Sequence, residues 1–133
     1  MQPSYTEIKI RGYHIDLNGH VNNARYLEFA EEARWNHFEE LLDWEEFKRN
    51  GWLFVVVNIN LDYRQPIFLG DHLRIETRLK NAGQRSIVMQ QIFRVKGKDK
   101  TAAELDVTFV MVDQKTGKSL PLEGRLREAL LEH

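Results

Sequence analysis

The sequence predicts an α+β fold, a five-stranded antiparallel sheet wrapped around one long helix. Three observations lead there. A helical pattern runs from Ala24 to Leu42 with no Gly or Pro to interrupt it. One alternating segment precedes it, and four strand-like segments joined by short turns follow it. Short turns allow antiparallel pairing only, and a lone helix must bury its apolar stripe on that sheet.

Each element has its own signal. In "YTEIKIRGY", Ile8 and Ile10 alternate with Lys9 and Arg11, a half-buried strand. The Ala24–Leu42 helix carries Leu27, Ala30, Phe38, Leu41 and Leu42 near one stripe, and small Ala30 and Ala33 allow close approach to a sheet. "DWEEFKRNG" reads as a short extra helix stopped at Gly51. "WLFVVVNINLDYR" is apolar on both faces at its start and then alternates, which predicts a long strand buried on both faces for part of its length. Pro66 and Gly70 bracket a turn. "HLRIETRL", "SIVMQQIFRV" and "AAELDVTFVMVD" are the remaining strands, separated by turns at Gly83 and "KGKDK"; "QKTGKS" is a further turn. Pro121 is placed to open a final helix over 122–132, with Leu122, Leu126 and Leu130 four apart.

The bulk numbers are those of one domain spanning residues 1–133: 42% apolar and 29% charged residues, with no repeat and no linker. A net charge of −1, with basic residues scattered among acids, gives no electrostatic footprint for nucleic acid. The longest apolar run, Trp52 to Val57, is far too short for membrane insertion, and no signal segment opens the chain. The absence of cysteine removes disulfides and thiol catalysis and fits a cytoplasmic location. Several motifs fail. "KTGKS" lacks the upstream glycine and the following helix of a phosphate loop, and no Gly-x-Ser-x-Gly exists. The histidines, at 14, 20, 37, 72 and 133, lack metal-ligand spacing, so no metal is expected.

One stretch remains, "DLNGHVNNARYLEF" from Asp16. It reads well as structure alone: Gly19 makes a turn, and Asn22 or Asn23 caps the helix that follows. The same physics allows chemistry. A helix N-terminus aims unpaired N–H groups at one point and can hold a carbonyl oxygen as it becomes an oxyanion. A carboxylate just upstream, ionised at neutral pH, can serve as general base or nucleophile toward an activated ester or thioester.

The segment "GYHIDLNGHVNNARYLEFAEEARW" resembles the signature of the 4-hydroxybenzoyl-CoA thioesterase-like branch of the hotdog-fold superfamily. The resemblance continues through "FVVVNINLDYRQPIFLGDHLRIE" and "AELDVTFVMVDQKTGKSLPLEGRLRE", nearly the whole chain. It implies an acyl-CoA thioesterase without cofactor, acting on long-chain substrates. It also implies a homodimer with sheets joined edge to edge, often paired into a homotetramer, with active sites at the dimer interface. Asp16 matches the catalytic carboxylate, and the backbone N–H of Asn23 matches the amide that polarises the thioester carbonyl. His20, which the family pattern does not itself assign, is expected to assist by orienting Asp16, holding water or donating to a leaving group. Val21, Asn22 and Tyr26 are expected at the substrate, Asn22 first of all as a cap and Tyr26 as pocket wall. The sequence departs from the 4-hydroxybenzoyl-CoA enzymes in carrying Asn-Gly-His where they have Pro or Ala, Gly and an apolar residue, which speaks against an aromatic acyl group.

The acyl chain is expected in an apolar tunnel between the helix and a subunit interface, with Leu27, Phe29, Trp35, Phe38 and Phe54 as wall candidates. Surface cations such as Arg64 or Arg85 are candidates for the nucleotide end. The rival readings are a non-catalytic acyl-CoA or acyl-carrier-protein binding module, which would not need Asp16, and a hotdog hydratase or dehydratase, which usually places its His and Asp after the long strand or in the helix.

Overall fold

In a computed structural model, residues 1–132 are described; His133 lies outside them. Six strands form one antiparallel sheet: β1 (Ser4–Lys9), β2 (Trp52–Tyr63), β3 (His72–Ala82), β4 (Ser86–Val95), β5 (Thr101–Asp113) and the two-residue β6 (Ser119–Leu120). The order is β1-β3-β4-β5-β2, with β6 pairing β5. Three helices accompany the sheet: α1 (Asn23–Leu41), α2 (Trp44–Asn50) and α3 (Gly124–Leu131). The five expected strands and the long helix are all present, in the hotdog arrangement. The short β6 falls at the end of the segment read as a turn.

The buried face of α1 comprises Tyr26, Phe29, Ala30, Ala33, His37 and Phe38. This corrects the expected stripe, because Leu27 is 43% exposed and faces away from the core. Ala30 and Ala33 have no exposed surface, and their small side chains let the helix sit close to the sheet. That approach allows the buried Gln91 on β4 to donate to the Ala30 carbonyl (2.8 Å) and the Thr77 hydroxyl (3.1 Å). Gln91 also accepts from Arg34 at 3.0 Å. Among the described residues, the ion pair on this helix joins Arg25 and Glu28 at 2.9 Å.

The alternation read in β3, β4 and β5 matches their burial. Leu105, Val107, Phe109 and Met111 point inward along β5. The reading of β2 needs correction. β2 is an edge strand, and Leu53, Val55, Val56, Val57 and Ile59 are exposed. A register shift between Val56 and Asn58 changes the phase of the strand. Trp52 and Phe54 pack on the core before this bulge, and Leu61 packs on it afterwards. Apolar residues on both faces thus mark an uncovered edge, not a central strand.

The last helix also starts later than expected. Pro121 and Leu122 precede it, and the Leu122 N–H is held by the Gln84 carbonyl at 2.7 Å. Gly124 opens α3 with φ 57°, a conformation that favours glycine. Glu46 of α2 and Arg125 of α3 form a two-pronged ion pair that ties the helices together. Arg125 holds the Glu46 carboxyl below the usual carboxylate range. Among the described residues, no helix is long and apolar enough to cross a membrane.

A buried histidine links fold to pH. His14 sits in a 3-10 turn, Gly12–His14, and its Nδ1 accepts from the Arg11 N–H at 2.9 Å. Burial first, then the positive charge of Arg25, lowers its pKa below 6.5. The unfolded chain therefore takes up the proton before the folded one. Its stabilising contribution is complete above pH 6.5 and is lost as pH falls through the lowered value. Urea melts between pH 7.5 and 5 are expected to show stability falling on acidification, with a shallower fall in His14→Gln. An equal slope in the variant would place the pH dependence elsewhere.

Candidate active site

The loop before α1 folds back on the Asp16 carboxylate. Asp16 N–H donates to the His20 carbonyl (2.8 Å), and Gly19 N–H donates to the Asp16 carbonyl (3.1 Å). Gly19 supplies φ 80° for this turn. Asp16 Oδ1 accepts from the backbone N–H of Asn18 at 2.9 Å and of His20 at 3.4 Å. Among the described residues, Oδ2 has no hydrogen-bond partner. One oxygen thus anchors the carboxylate while the other stays available.

Two further bonds seat this loop on its neighbours. Asn22 N–H donates to the His14 carbonyl (2.8 Å), and Val21 N–H donates to the Ile67 carbonyl (2.9 Å). The Asn22 side chain accepts from Ala24 N–H at 3.0 Å, so Asn22 is the helix cap. The Asn23 N–H, the first of the helix, has no acceptor among the described residues. It keeps the partial positive charge of a helix start. Asn22→Ala is expected to cost about 1 kcal/mol of stability, read by thermal unfolding. An unchanged melting temperature would show that the cap carries no weight.

Asp16, His20, Val21, Asn23 and Tyr26 line one cavity of about 370 Å³ with Asn18, Tyr63, Arg64, Gln65 and Pro66. Five of the six residues singled out in the sequence therefore meet. Asn22 does not line the cavity; its side chain turns to the helix. Tyr26 is wall: it stacks on Phe93 with centroids 5.8 Å apart and meets Tyr63 edge-on at 4.8 Å. Burial, with Tyr63 adding to it, pushes its hydroxyl up to about 12, which keeps it protonated at neutral pH. The His20 ring packs edge-on against Phe68 at 5.2 Å and makes no hydrogen bond to the Asp16 carboxylate. Its expected orienting role has no direct contact behind it.

The opposite wall was not singled out. Tyr63 donates to the Asn23 carbonyl at 3.0 Å, and Gln65 and Pro66 follow it. The Gln65–Pro66 step signals that the chain turns after β2, but nothing in its spacing says that it turns toward the motif. Arg64 lines the same cavity and pairs with Glu104 at 2.8 Å. Arg85, in the β3–β4 turn, donates to Ser119 at 3.3 Å, at the other end of the sheet.

Residues 10–130 match the model of the thioesterase-like superfamily. The chain belongs to that superfamily. The long-chain acyl-CoA thioesterase FadM of Escherichia coli K12 is 46% identical over 125 residues, covering 94% of this chain and 95% of that protein. The crystal structure of YbaW, a probable thioesterase from Escherichia coli, superposes with a TM-score of 0.90 at 45% identity, covering 95% of each chain. Slr0204, a 1,4-dihydroxy-2-naphthoyl-CoA thioesterase from Synechocystis, has the same fold with a TM-score of 0.83, covering 99% of each chain. At 17% identity that likeness concerns the fold alone. For this thioesterase-superfamily chain, the antiparallel sheet around α1 and the activity expected from the motif, thioester hydrolysis, both agree with the family.

Proposed function

We propose that the chain, acting as a single thioesterase domain, hydrolyses long-chain fatty acyl-CoA to free fatty acid and CoA. One observation carries the chemistry: Asp16, whose carboxylate keeps one oxygen without a partner among the described residues, and Asn23, whose helix-start N–H has no acceptor among them, line the same cavity. The long-chain assignment follows the 46% identity with a long-chain acyl-CoA thioesterase. The thioester oxygen accepts from the Asn23 N–H, which stabilises the charge that develops there. Asp16 then acts in one of two ways. As base, it takes a proton from water as the water oxygen bonds to the carbonyl carbon. As nucleophile, it forms an anhydride that water opens. In both routes the carbon–sulfur bond breaks and CoA leaves as thiolate, which needs little acid assistance. His20 and Tyr26 shape the pocket, Val21 forms its apolar floor, and Asn22 fixes the helix start.

The working unit is a homodimer joined through β2, with pairing into a homotetramer. Among the described residues, β2 has no strand on its outer side, and it exposes five aliphatic residues, an edge that invites pairing. A two-fold axis would run the two β2 strands antiparallel and close the α1–β2 side of each subunit. A chain without cysteines suits the cytoplasm, where thiols stay reduced. A net charge of −1 speaks against a nucleic-acid partner.

Thiol release from acyl-CoAs of increasing chain length tests this function. Release that rises toward long chains is expected. Binding of acyl-CoA without release would favour the non-catalytic binding module.

A further inference from the structure

The peptide unit that joins Asn23 to Ala24 opens α1, and side chains hold it at both ends. Its N–H, on Ala24, donates to the Asn22 side-chain oxygen at 3.0 Å. Its carbonyl oxygen, on Asn23, accepts from the Tyr63 hydroxyl at 3.0 Å. A carbonyl oxygen carries two lone pairs, so Tyr63 can bond it without displacing the helix. On the other side of the Asn23 Cα, the Asn22 carbonyl accepts from the Arg25 N–H at 2.9 Å. Both peptide planes that flank this Cα are therefore fixed. The Asn23 N–H lies in the first of them, so its direction is fixed with them.

The sheet, not the helix, carries the Tyr63 hydroxyl. Tyr63 is the last residue of β2 and pairs with Ala103 of β5. Just beyond it, the N–H groups of Arg64 and Gln65 both donate to the Ala102 carbonyl, at 2.9 and 3.0 Å. The Tyr63 ring meets Tyr26 edge-on, and Tyr26 stacks on the buried Phe93 of β4. Helix ends fray because their first turn lacks half of its bonds. A bond from a tied strand end to the first helical residue opposes that fraying. It adds little to overall stability, since Tyr63 is 50% exposed and water can replace its hydroxyl. Its effect is local: it fixes one amide relative to the cavity wall that the amide faces.

We infer that Tyr63 is a positioning residue for hydrolysis: by holding the Asn23 carbonyl, its hydroxyl keeps the Asn23 N–H aimed at the thioester oxygen. This rests on the acyl-CoA reading above. The Tyr63 proton is engaged by the Asn23 carbonyl, so the residue acts through the amide and not as an acid. A donor stabilises an oxyanion fully only when it already points to where the charge develops. An N–H free to swing must be reoriented during the reaction, and that cost falls on the transition state more than on substrate binding. Loss of the hydroxyl therefore lowers kcat and leaves KM nearly unchanged.

Tyr63→Phe tests this, because it removes the hydroxyl and keeps the ring against Tyr26. With palmitoyl-CoA, kcat is expected to fall about tenfold, less than the roughly 10² to 10³-fold lost when an oxyanion donor is removed outright. KM is expected to stay within about twofold. The second measurement needs no hydrolysis. A palmitoyl-CoA analogue with a methylene in place of the sulfur, its ketone isotope-labelled, is bound to saturation and read by infrared spectroscopy. In wild type the ketone band is expected below its frequency in water, and in Tyr63→Phe it is expected to move back toward that frequency and broaden. A merely structural tyrosine would change the melting temperature and leave the band in place. An unchanged kcat would overturn the role of Tyr63 and leave the thioesterase standing. A lower kcat with an unmoved band would also overturn it, because Tyr63 would then act on something other than the amide. A band that moves in the variant while neither protein releases thiol would support the positioning and sink the thioesterase.

Discussion

Asp16→Asn is expected to lower kcat for thiol release by a factor on the order of 10² to 10⁴, the range for loss of a positioned acid–base group. The substitution isolates the chemistry well. An asparagine can still accept from the Asn18 and His20 amides through its carbonyl oxygen, so the turn at Gly19 keeps its bonds. The Asn23 amide and the cavity walls are untouched. KM should therefore change little, because substrate contacts persist while the base or nucleophile is gone. A melting temperature close to wild type would confirm that the loop is intact. A loss of less than about tenfold would mean that another group activates water, and the free oxygen of Asp16 would need another explanation.

The second large effect concerns β2. Val57, 57% exposed at the bulge, sits midway along the unpaired edge. If two copies join there, Val57→Asp brings an uncompensated carboxylate into the contact from each subunit. Burying such charges costs about 3 kcal/mol or more, on the order of 100-fold in Kd. Sedimentation should then find monomer where wild type is dimer, and activity should fall because the α1–β2 side loses its cover. A variant that stays dimeric would move the interface to another surface. An exposed valine on a free edge gives up no core contact, so unfolding is not the expected cause of any loss.

Much of this was readable in the chain, for physical reasons. β3, β4 and β5 alternate because one face is covered by α1 and the other is not, and such strands state their burial directly. The motif loop was readable because Asp, Gly and Asn at those spacings make a turn and a cap by local bonds alone. β2 misled for the opposite reason. Its apolar outer face reads by periodicity like that of a covered strand, yet β2 lies at the open edge of the sheet. The bulge at Val57 also breaks the alternation from which its inward side was read. Leu27 misled in the same way: it fits the helix stripe by hydrophobicity, while Tyr26 and Phe29 take the core. Tyr63 and Pro66 reach the site only through tertiary contact with the motif loop, which no local spacing announces. The three tryptophans, at 35, 44 and 52, sit on three different elements and meet only because α1, α2 and β2 converge.

A thioester carbonyl is expected to lie on the helix-start amide beside Asp16. The most direct test is a crystal structure with an acyl-CoA analogue in which a methylene replaces the sulfur, leaving an uncleavable ketone. The ketone oxygen is expected about 2.7–3.1 Å from the Asn23 nitrogen, with the free Asp16 oxygen facing the carbonyl carbon directly or through one water. A ketone bound away from Asn23, with Asp16 still turned only to its own loop, would contradict the account and return the opening of α1 to a capped helix.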